Sequence, residues 1–202
     1  MNGIHPSPYQ TYENGTWTPI AGNVTEEAQV CLHVNGQEIA TLMCTPRDLD
    51  ELAMGFLRAE GIIQASTEVE VLTIAAHQTC VDVWLKKNIP FEPPKRHIRT
   101  SGCGGGVTFD DLKGQRPPLK LNTSIHPDQI FARMHDLYQA SELYEATRGI
   151  HTAALADNEK MLLVTEDIGR HNAVDRIWGK AMKQNIPTAG RIWLDGRELS
   201  AM

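Results

Sequence analysis

The last third of the chain alternates strand-like and helix-like patterns, and this alternation constrains the fold most. HTAALA (151–156) and KMLLVTED (160–167) predict strands, and RHNAVDRIWGKAMKQ (170–184) predicts a helix. A further strand is expected in RIWLDG (191–196). A strand, a helix and a strand in this order indicate a parallel crossover unit within a layered α/β structure.

The first half of the chain predicts mainly β structure. Asn35-Gly36 separates two alternating apolar runs and suits the positive φ angles of a type I′ turn, so a hairpin is expected there. Two further strand-like runs follow at 69–76 and 79–87. Residues 1–23 are rich in Pro, Gly, Asn and Thr without periodicity, and we expect a flexible arm.

Two amphipathic helices are predicted outside the last third. Thr45 is expected to be the N-cap of the first helix, and Gly61 is expected to end it. The second helix is predicted over 127–145, after a Pro-rich connector that separates two lobes. We therefore expect an N-terminal α+β lobe at 24–122 and an α/β lobe at 123–202.

Composition and charge exclude several classes of protein. Apolar residues make up 41% and charged residues 22% of the 202 residues, as in ordinary soluble globular proteins. The net charge of −6 argues against nonspecific nucleic-acid binding, because counterion release needs a basic surface. No apolar run is long enough to cross a bilayer, and the N-terminus lacks the pattern of a signal peptide, so we expect a cytoplasmic protein without a membrane partner.

Three of the four cysteines lie in apolar, strand-like contexts. Cys31, Cys44 and Cys80 are therefore predicted to be reduced, buried small hydrophobes. Cys103 differs, because it lies among four glycines in TSGCGGG. No second cysteine or histidine lies at ligand spacing from it, so no metal site is predicted.

The glycines around Cys103 suit a thiol that must meet protein partners. A thiol is nucleophilic only as a thiolate that its partner can reach, and glycines let the backbone move and approach closely. A persulfide carrier needs both properties, and we expect a mobile loop. The alternative is a glycine-rich turn that happens to contain a cysteine.

A second candidate site is TEDIGRHNAVDR (165–176), where a strand ends and a helix begins. Such turns commonly bind anions in α/β folds through free backbone N–H groups. The residues predicted to bind there are Gly169, Arg170, His171 and Asn172. The alternative is a polar helix start in which Glu166 or Asp167 pairs with Arg170. Two weaker candidates are His151, which alone is typical of a structural histidine, and Arg197, a cation after a strand-end turn.

Together these segments resemble the formate dehydrogenase accessory protein family (FdhD/NarQ) from about residue 28 to the C-terminus. TPRDLDELAMGFLRAEGII is similar to the family's TPxDxxELAxGFLxxEGII. EDIGRHNAVDR is similar to EDVGRHNAVDK, the most specific match. TRGIHTAAL is similar to TGGxHxAAL, SGCGGG to SSCGxCG, and DGRELSAM to SGRxSxEM.

The resemblance implies a sulfurtransferase that acts through a persulfide. Cys103 would receive sulfur from a cysteine desulfurase and pass it to the molybdenum cofactor (bis-molybdopterin guanine dinucleotide) destined for formate dehydrogenase. The GRHN turn, Arg197 and His151 would hold the cofactor. The family's core resembles the cytidine deaminase fold, so the C-terminal lobe is expected to be a three-layer α/β/α lobe. An apolar strand edge could support a homodimer.

The chain departs from the family pattern at several positions. Gly106 replaces the second loop cysteine, so any relay must use Cys103 alone. Arg148 replaces the first glycine of the histidine motif, and Ala201 replaces a glutamate near the end. The family normally continues beyond the position of Met202, and we expect a truncated sequence or one that lacks part of the cofactor site.

The sequence bears on three alternatives to sulfur transfer. A zinc deaminase needs His-x-Glu and Cys-x-x-Cys, but His151 is followed by Thr152 and Ala153 and no Cys-x-x-Cys occurs, which excludes deamination. A non-enzymatic chaperone that binds and delivers the molybdenum cofactor stays open, because the second loop cysteine is absent. A degenerate homologue that only binds partner proteins is the third.

Overall fold

Three β-sheets and four α-helices make up the part of the chain that the structure, a computed structural model, describes: residues 3–92, 98–100, 124–188 and 192–196. The strands are β1 (Ile4–Glu13), β2 (Thr16–Thr25), β3 (Ala28–Val34), β4 (Gln37–Cys44), β5 (Val69–Ile74), β6 (Cys80–Leu85), β7 (Ile98–Thr100), β8 (His151–Ala156), β9 (Met161–Asp167) and β10 (Ile192–Gly196). The helices are α1 (Leu49–Ala59), α2 (Pro127–Gln139), α3 (Glu142–Thr147) and α4 (Arg170–Gln184).

The first lobe is built on a mixed five-stranded sheet in the order β5-β6-β3-β4-β7. Its central hairpin, β3–β4, turns at Asn35 (φ 50°) and Gly36 (φ 79°), which confirms the predicted hairpin. Strand β6 pairs in parallel with β3, and β7 pairs in parallel with β4. Alternate residues such as Val30, Leu32 and Val34 are buried in the core beside α1, so one face of the sheet is covered.

The second lobe contains a three-stranded sheet in the order β10-β8-β9. Strand β8 is antiparallel to both neighbours, so β9 and β10 run in the same direction on either side of it. The structure therefore contains the predicted crossover: α4 connects β9 to the parallel strand β10, and β8 lies between these two strands. Leu155 packs with Ile177 of α4, whereas Ala154 packs with Leu137 of α2 on the opposite face. Helices thus cover both faces of this sheet, and the likeness of the lobe to cytidine deaminase stays a prediction.

Helices α1 and α4 join the two lobes through a close backbone contact. A methyl group on Gly55 of α1 would overlap the carbonyl oxygen of Asp175, and one on Gly179 of α4 would overlap the carbonyl oxygen of Glu51. Two glycines on facing helices allow this approach, because neither carries a Cβ atom. The helix pair therefore connects the five-stranded sheet to the three-stranded sheet.

The contact between α1 and α4 also holds a carboxyl group that burial affects strongly. Burial, together with the negative charges of Glu60 and Asp167, raises the pKa of Asp175 from its ordinary value of 3.8 to about 7, and Arg176 opposes this shift. Between about pH 4 and pH 7 the unfolded chain releases a proton that the native chain retains. Stability is therefore expected to fall as the pH rises through this window.

Asp175→Asn should remove this part of the pH dependence. We expect the variant to be more stable than the wild type at pH 8, by an amount on the order of 2 kcal/mol, and to gain little at pH 4. Urea unfolding of both proteins at pH 4, 6 and 8 measures the difference. A gain in stability that is the same at all three pH values would contradict the assignment.

Residues 4–25 do not match the flexible arm predicted for 1–23. Strands β1 and β2 pair along their whole lengths, from Ile4 opposite Thr25 to Glu13 opposite Thr16. They turn at Asn14-Gly15, whose φ angles of 51° and 82° are those of the same hairpin turn as in the first lobe. The prolines in these strands are tolerated, because a two-stranded ribbon leaves an outer edge on each strand without a pairing partner.

The first predicted helix ends just before Gly61 (φ 75°), as expected, but it begins later than predicted, and the second predicted helix is divided in two. Helix α1 begins at Leu49, after Asp48 in the left-handed conformation (φ 44°), so Thr45 is not its N-cap. Thr45 is instead fully buried and bonded to the second lobe. The predicted helix at 127–145 is divided into α2 and α3 at buried Ser141, whose Oγ donates a hydrogen bond to the Leu137 carbonyl.

The cysteine prediction is correct for one of the three strand cysteines. Cys44 is reduced and fully buried. Cys31 and Cys80 are partly buried and form a disulfide bond, because parallel pairing of β3 with β6 places them directly opposite each other. The prediction overlooked that two runs 49 residues apart become neighbouring strands.

Candidate functional site

The turn between β9 and α4 lies at an edge of the three-stranded sheet where several predicted site residues meet. His151 begins β8 opposite Asp167 at the end of β9, and Gly196 ends β10 opposite Thr152. Gly169 then occupies the N-cap of α4. This edge therefore brings the GRHN turn and His151 together. Arg197 and Cys103 lie outside the described residues.

Asp167 is the buried centre of this turn. Its Oδ1 accepts hydrogen bonds from the Gly169 N–H at 2.8 Å and from the Asn172 amide at 3.0 Å. Its Oδ2 accepts from Arg176 Nε at 2.8 Å and from the Thr45 N–H at 3.2 Å. The carboxylate is fully buried, and all these donors are needed to replace the water it has lost. Asp167 thus holds both the shape of the turn and the contact with the first lobe.

Arg176 pairs with Asp167 and is itself 1% exposed. Its guanidinium also donates to the backbone carbonyls of Thr45 at 2.7 Å, Asp48 at 3.0 Å and Arg47. These carbonyls belong to the connector between β4 and α1, which we call the 45–48 connector. One side chain of the second lobe therefore fixes the path of the chain in the first lobe.

Asn172 is also bonded inside the protein. Its Nδ2 donates to the Met43 carbonyl at 2.8 Å as well as to Asp167, and the residue is 5% exposed. The amide nitrogen therefore uses both of its hydrogens within the fold. This geometry gives Asn172 a positioning role in the turn, and its contact with a cofactor stays a prediction.

Arg170 and His171 differ from Asn172, because within the described residues neither side chain has a hydrogen bond or an ion pair. Arg170 is partly buried and His171 is exposed. The alternative pairing of Arg170 with Glu166 or Asp167 is not found: Asp167 pairs with Arg176, and Glu166 accepts hydrogen bonds from backbone N–H groups that begin α3. The Arg170 guanidinium is left available to an anionic ligand.

The start of α4 adds partial positive charge beside Arg170. In the part of the chain that the structure describes, the N-cap residue Gly169 provides no side chain to cap this helix terminus, and the 15-residue helix directs its N-terminal dipole toward the turn. His151 is partly buried at the adjacent strand start. Backbone N–H groups, one guanidinium and two imidazoles are groups that bind phosphate. The negative charge of the buried Asp167 carboxylate offsets part of the positive charge at the start of α4. Arg170 is therefore the main source of positive charge for a ligand at this turn.

The three cysteines in the described residues differ sharply from a reactive thiol. Burial, together with the negative charge of Asp167, raises the pKa of Cys44 to about 12. This thiol is therefore protonated at neutral pH, and no partner can reach it. Cys31 and Cys80 are bonded to each other. As the structure has them, none of the three presents the accessible thiolate that sulfur transfer needs.

The sequence prediction missed the roles of Thr45, Asp167 and Arg176. For Arg176 a signal was available, because it lies one helical turn after Asn172 and shares its face of α4. For Thr45 no local signal exists: its partners in the second lobe are 122, 123 and 131 residues away. None of the described helices is long and apolar enough to cross a membrane.

Comparison with known proteins places this site in a family. A sequence model of the FdhD/NarQ family matches residues 25–197. A relative named sulfur carrier protein FdhD from Shouchella clausii is 33% identical over 199 residues, which cover 94% of this chain and 74% of the relative. The Bacillus subtilis protein of the same name is 34% identical over 186 residues, 90% of this chain and 71% of the relative.

A solved structure shares the fold. The crystal structure of a formate dehydrogenase accessory protein from Desulfotalea psychrophila superposes with a TM-score of 0.74 at 21% sequence identity, over 96% of this chain and 74% of that one. The mixed α/β architecture therefore agrees with that of the solved protein. Since the family model covers the first lobe, the helix pair and the GRHN turn, this chain belongs to the FdhD/NarQ family.

Proposed function

We propose that this protein is a sulfur carrier that uses Cys103. Its relatives are named sulfur carrier protein FdhD, which supports the role. The observation that carries the residue assignment is the state of the other cysteines. Cys44 is buried with a raised pKa, and Cys31 and Cys80 are paired across β3 and β6, as a disulfide in this structure, so Cys103 is the candidate for a thiolate that a partner can reach.

The proposed first step is a thiol exchange with the persulfide of a cysteine desulfurase. The Cys103 thiolate attacks the outer sulfur of the donor persulfide, a new S–S bond forms, and the donor leaves as a thiolate. Cys103 would then carry this sulfur as a persulfide to the proposed acceptor, the molybdenum cofactor destined for formate dehydrogenase, the proposed client. Gly106 replaces the second loop cysteine of the family, so this relay uses one loop thiol throughout. The reaction belongs in the cytoplasm, where cysteine desulfurases supply sulfur.

The cofactor is proposed to bind at the edge formed by the GRHN turn and the start of β8. A dinucleotide carries phosphates, and Arg170, the N-terminus of α4 and exposed His171 are the groups that suit them. His151 lies beside the turn, and Arg197 follows β10 in the sequence. Asn172 contributes by holding Asp167 in place. We also propose that the carrier acts as a homodimer.

The test of the carrier is intact-mass spectrometry after incubation with a cysteine desulfurase and cysteine. The wild type should gain one sulfur atom, about 32 Da, and Cys103→Ala should gain none. Cys44→Ala is the matched control and should gain sulfur like the wild type, because its thiol is buried and protonated. Sulfur on Cys103→Ala that equals the wild-type gain would contradict the proposal.

The second candidate function is a chaperone that delivers the molybdenum cofactor without sulfur chemistry. The glycine at position 106 favours it, since the loop lacks a second thiol. In the same experiment, absence of a mass gain on the wild type, together with binding of the cofactor, would support the chaperone. Activation of formate dehydrogenase by Cys103→Ala at the wild-type level would do so independently.

A further inference from the structure

The face of the five-stranded sheet that points away from α1 carries a cluster of metal-binding side chains. In the parallel pair β3–β6, Cys31 lies opposite Cys80, and His33 lies opposite Asp82. Residues two apart on a strand share a face, so all four side chains lie on the same side of the sheet. The alternate residues, such as Leu32, are buried in the core instead.

The distances within this cluster fit one small cation. One ligand atom each from Cys31, His33 and Cys80 lies within 4.8 Å of the others, and all three residues are partly buried. His33 Nδ1 and Asp82 Oδ1 are 3.6 Å apart. Two ligands bound to zinc at about 2.0–2.1 Å in a tetrahedron are separated by about 3.4 Å. Cys31, His33 and Cys80 therefore need only small movements to reach a common ion, whereas Asp82, placed by its 3.6 Å contact with His33, must turn toward it.

His33 supplies a second and independent indication of a ligand. Its Nδ1 is buried and has no hydrogen-bond partner among the residues that the structure describes. A buried ring nitrogen without a partner is unfavourable, because it has lost water without replacement. The carboxylate of Asp82 lies 3.6 Å from it, and the Asp82 side chain is 45% exposed. A cation between the two would satisfy both.

We propose that Cys31, His33, Cys80 and Asp82 form a zinc site when the Cys31–Cys80 disulfide is reduced. Two thiolates, one imidazole and one carboxylate are a ligand set that suits a borderline-soft tetrahedral ion. An external dithiol opens the disulfide to two thiols and is itself oxidised to a disulfide. Zinc then displaces the two thiol protons, which pass to solvent. The site involves neither Cys103 nor the GRHN turn, so it stands or falls independently of sulfur transfer.

Reduction followed by zinc binding would replace the disulfide between β3 and β6 with a metal-mediated connection. In the oxidised protein a covalent bond joins the two strands, and in the reduced protein the metal does so. A reducing compartment opens accessible disulfides. The metal therefore preserves the strand pair under conditions in which the sulfur donor works.

The test uses full-length Cys103→Ala protein, so that the loop thiol takes no part. The protein is reduced with dithiothreitol, desalted without oxygen, and titrated with zinc chloride alone against a chromophoric chelator. We expect one zinc ion per chain. Cys31→Ser and Cys80→Ser should each weaken binding about 100-fold or more, and Asp82→Asn about 10–100-fold. Cys44→Ala should bind as its parent does, because that thiol is in the core.

Cobalt gives an independent readout of the same ligands. Cobalt chloride added to the reduced protein should produce a thiolate charge-transfer band that Cys31→Ser reduces and the double variant Cys31→Ser/Cys80→Ser abolishes. Circular dichroism establishes that each variant is folded, and His33→Gln provides a variant outside the cysteine pair. Failure of the dithiol to open the disulfide, absence of stoichiometric zinc, or zinc binding unchanged by Cys31→Ser would each overturn the proposal.

Discussion

Arg176→Met is expected to lower the free energy of unfolding by about 3–5 kcal/mol. The substitution leaves the Asp167 carboxylate buried without its cation and removes donors from three carbonyls of the 45–48 connector. A buried charge without a partner is among the most costly changes a core can undergo. Urea unfolding at pH 7, followed by circular dichroism, measures the loss.

Two further variants separate the buried charge from the lost packing. Lys183 lies on α4, as Arg176 does, and forms a surface ion pair with Asp50 of α1. Lys183→Met removes this cation and should cost about 1 kcal/mol or less. The double variant Asp167→Leu/Arg176→Met should be more stable than Arg176→Met alone, because no uncompensated charge remains. A double variant that is less stable than Arg176→Met would show that the hydrogen bonds which Asp167 accepts from Gly169, Asn172 and Thr45 outweigh the cost of its unpaired charge.

Gly179→Ala is expected to destabilise the protein by about 3 kcal/mol or more. In an exposed helix interior the same change stabilises by about 1 kcal/mol, because alanine is the better helix former. Here the new methyl group would meet the backbone carbonyl of Glu51, which no change of rotamer can move away. Helices α1 and α4 must separate instead, and overpacking of this kind strains both lobes.

Two further glycine variants test this explanation: Gly55→Ala lies in the same helix contact, and Gly149→Ala is a control outside it. Gly55 faces the Asp175 carbonyl in the same helix contact and should give a loss like that of Gly179→Ala. A methyl group on Gly149 would meet its neighbours at ordinary contact distances, 3.5 Å from Thr25 Oγ1, so this control should change stability by about 0.5 kcal/mol or less. Thermal unfolding of the three variants ranks them. Equal stabilities for Gly179→Ala and Gly149→Ala would refute the close helix contact.

The fold was predictable where local pattern and tertiary structure agree. The short apolar run of β8, the alternating burial of β9, the helical period of α4, and the Asn35-Gly36 turn each follow from neighbouring residues. Residues 4–25 were not predictable from composition, because polar strands without an apolar face show no period that marks them as β structure. The second Asn-Gly pair, at Asn14-Gly15, was the signal that contradicted the arm.

The location of the candidate site was predictable from the sequence, but the roles of several of its residues were not. The strand-to-helix turn places Gly169, Arg170 and His171 together, as their spacing indicates. The partners that tie Asp167 and Asn172 to the other lobe, the Thr45 N–H and the Met43 carbonyl, are more than 120 residues away, and no local pattern encodes them. The zinc cluster was missed for the same reason, because its two halves become neighbours only when β6 joins β3.

The contact between the 45–48 connector and the GRHN turn has a consequence for protein synthesis. Thr45 and Asp167 are 122 residues apart, so at roughly 5–20 residues per second the ribosome releases the second about 6–24 s after the first. During that interval the nascent first lobe has its sheet but lacks the side chains that fix the start of α1. We therefore expect a translation pause between residues 100 and 167 to leave the start of α1 without these partners and to expose α1 to chaperones.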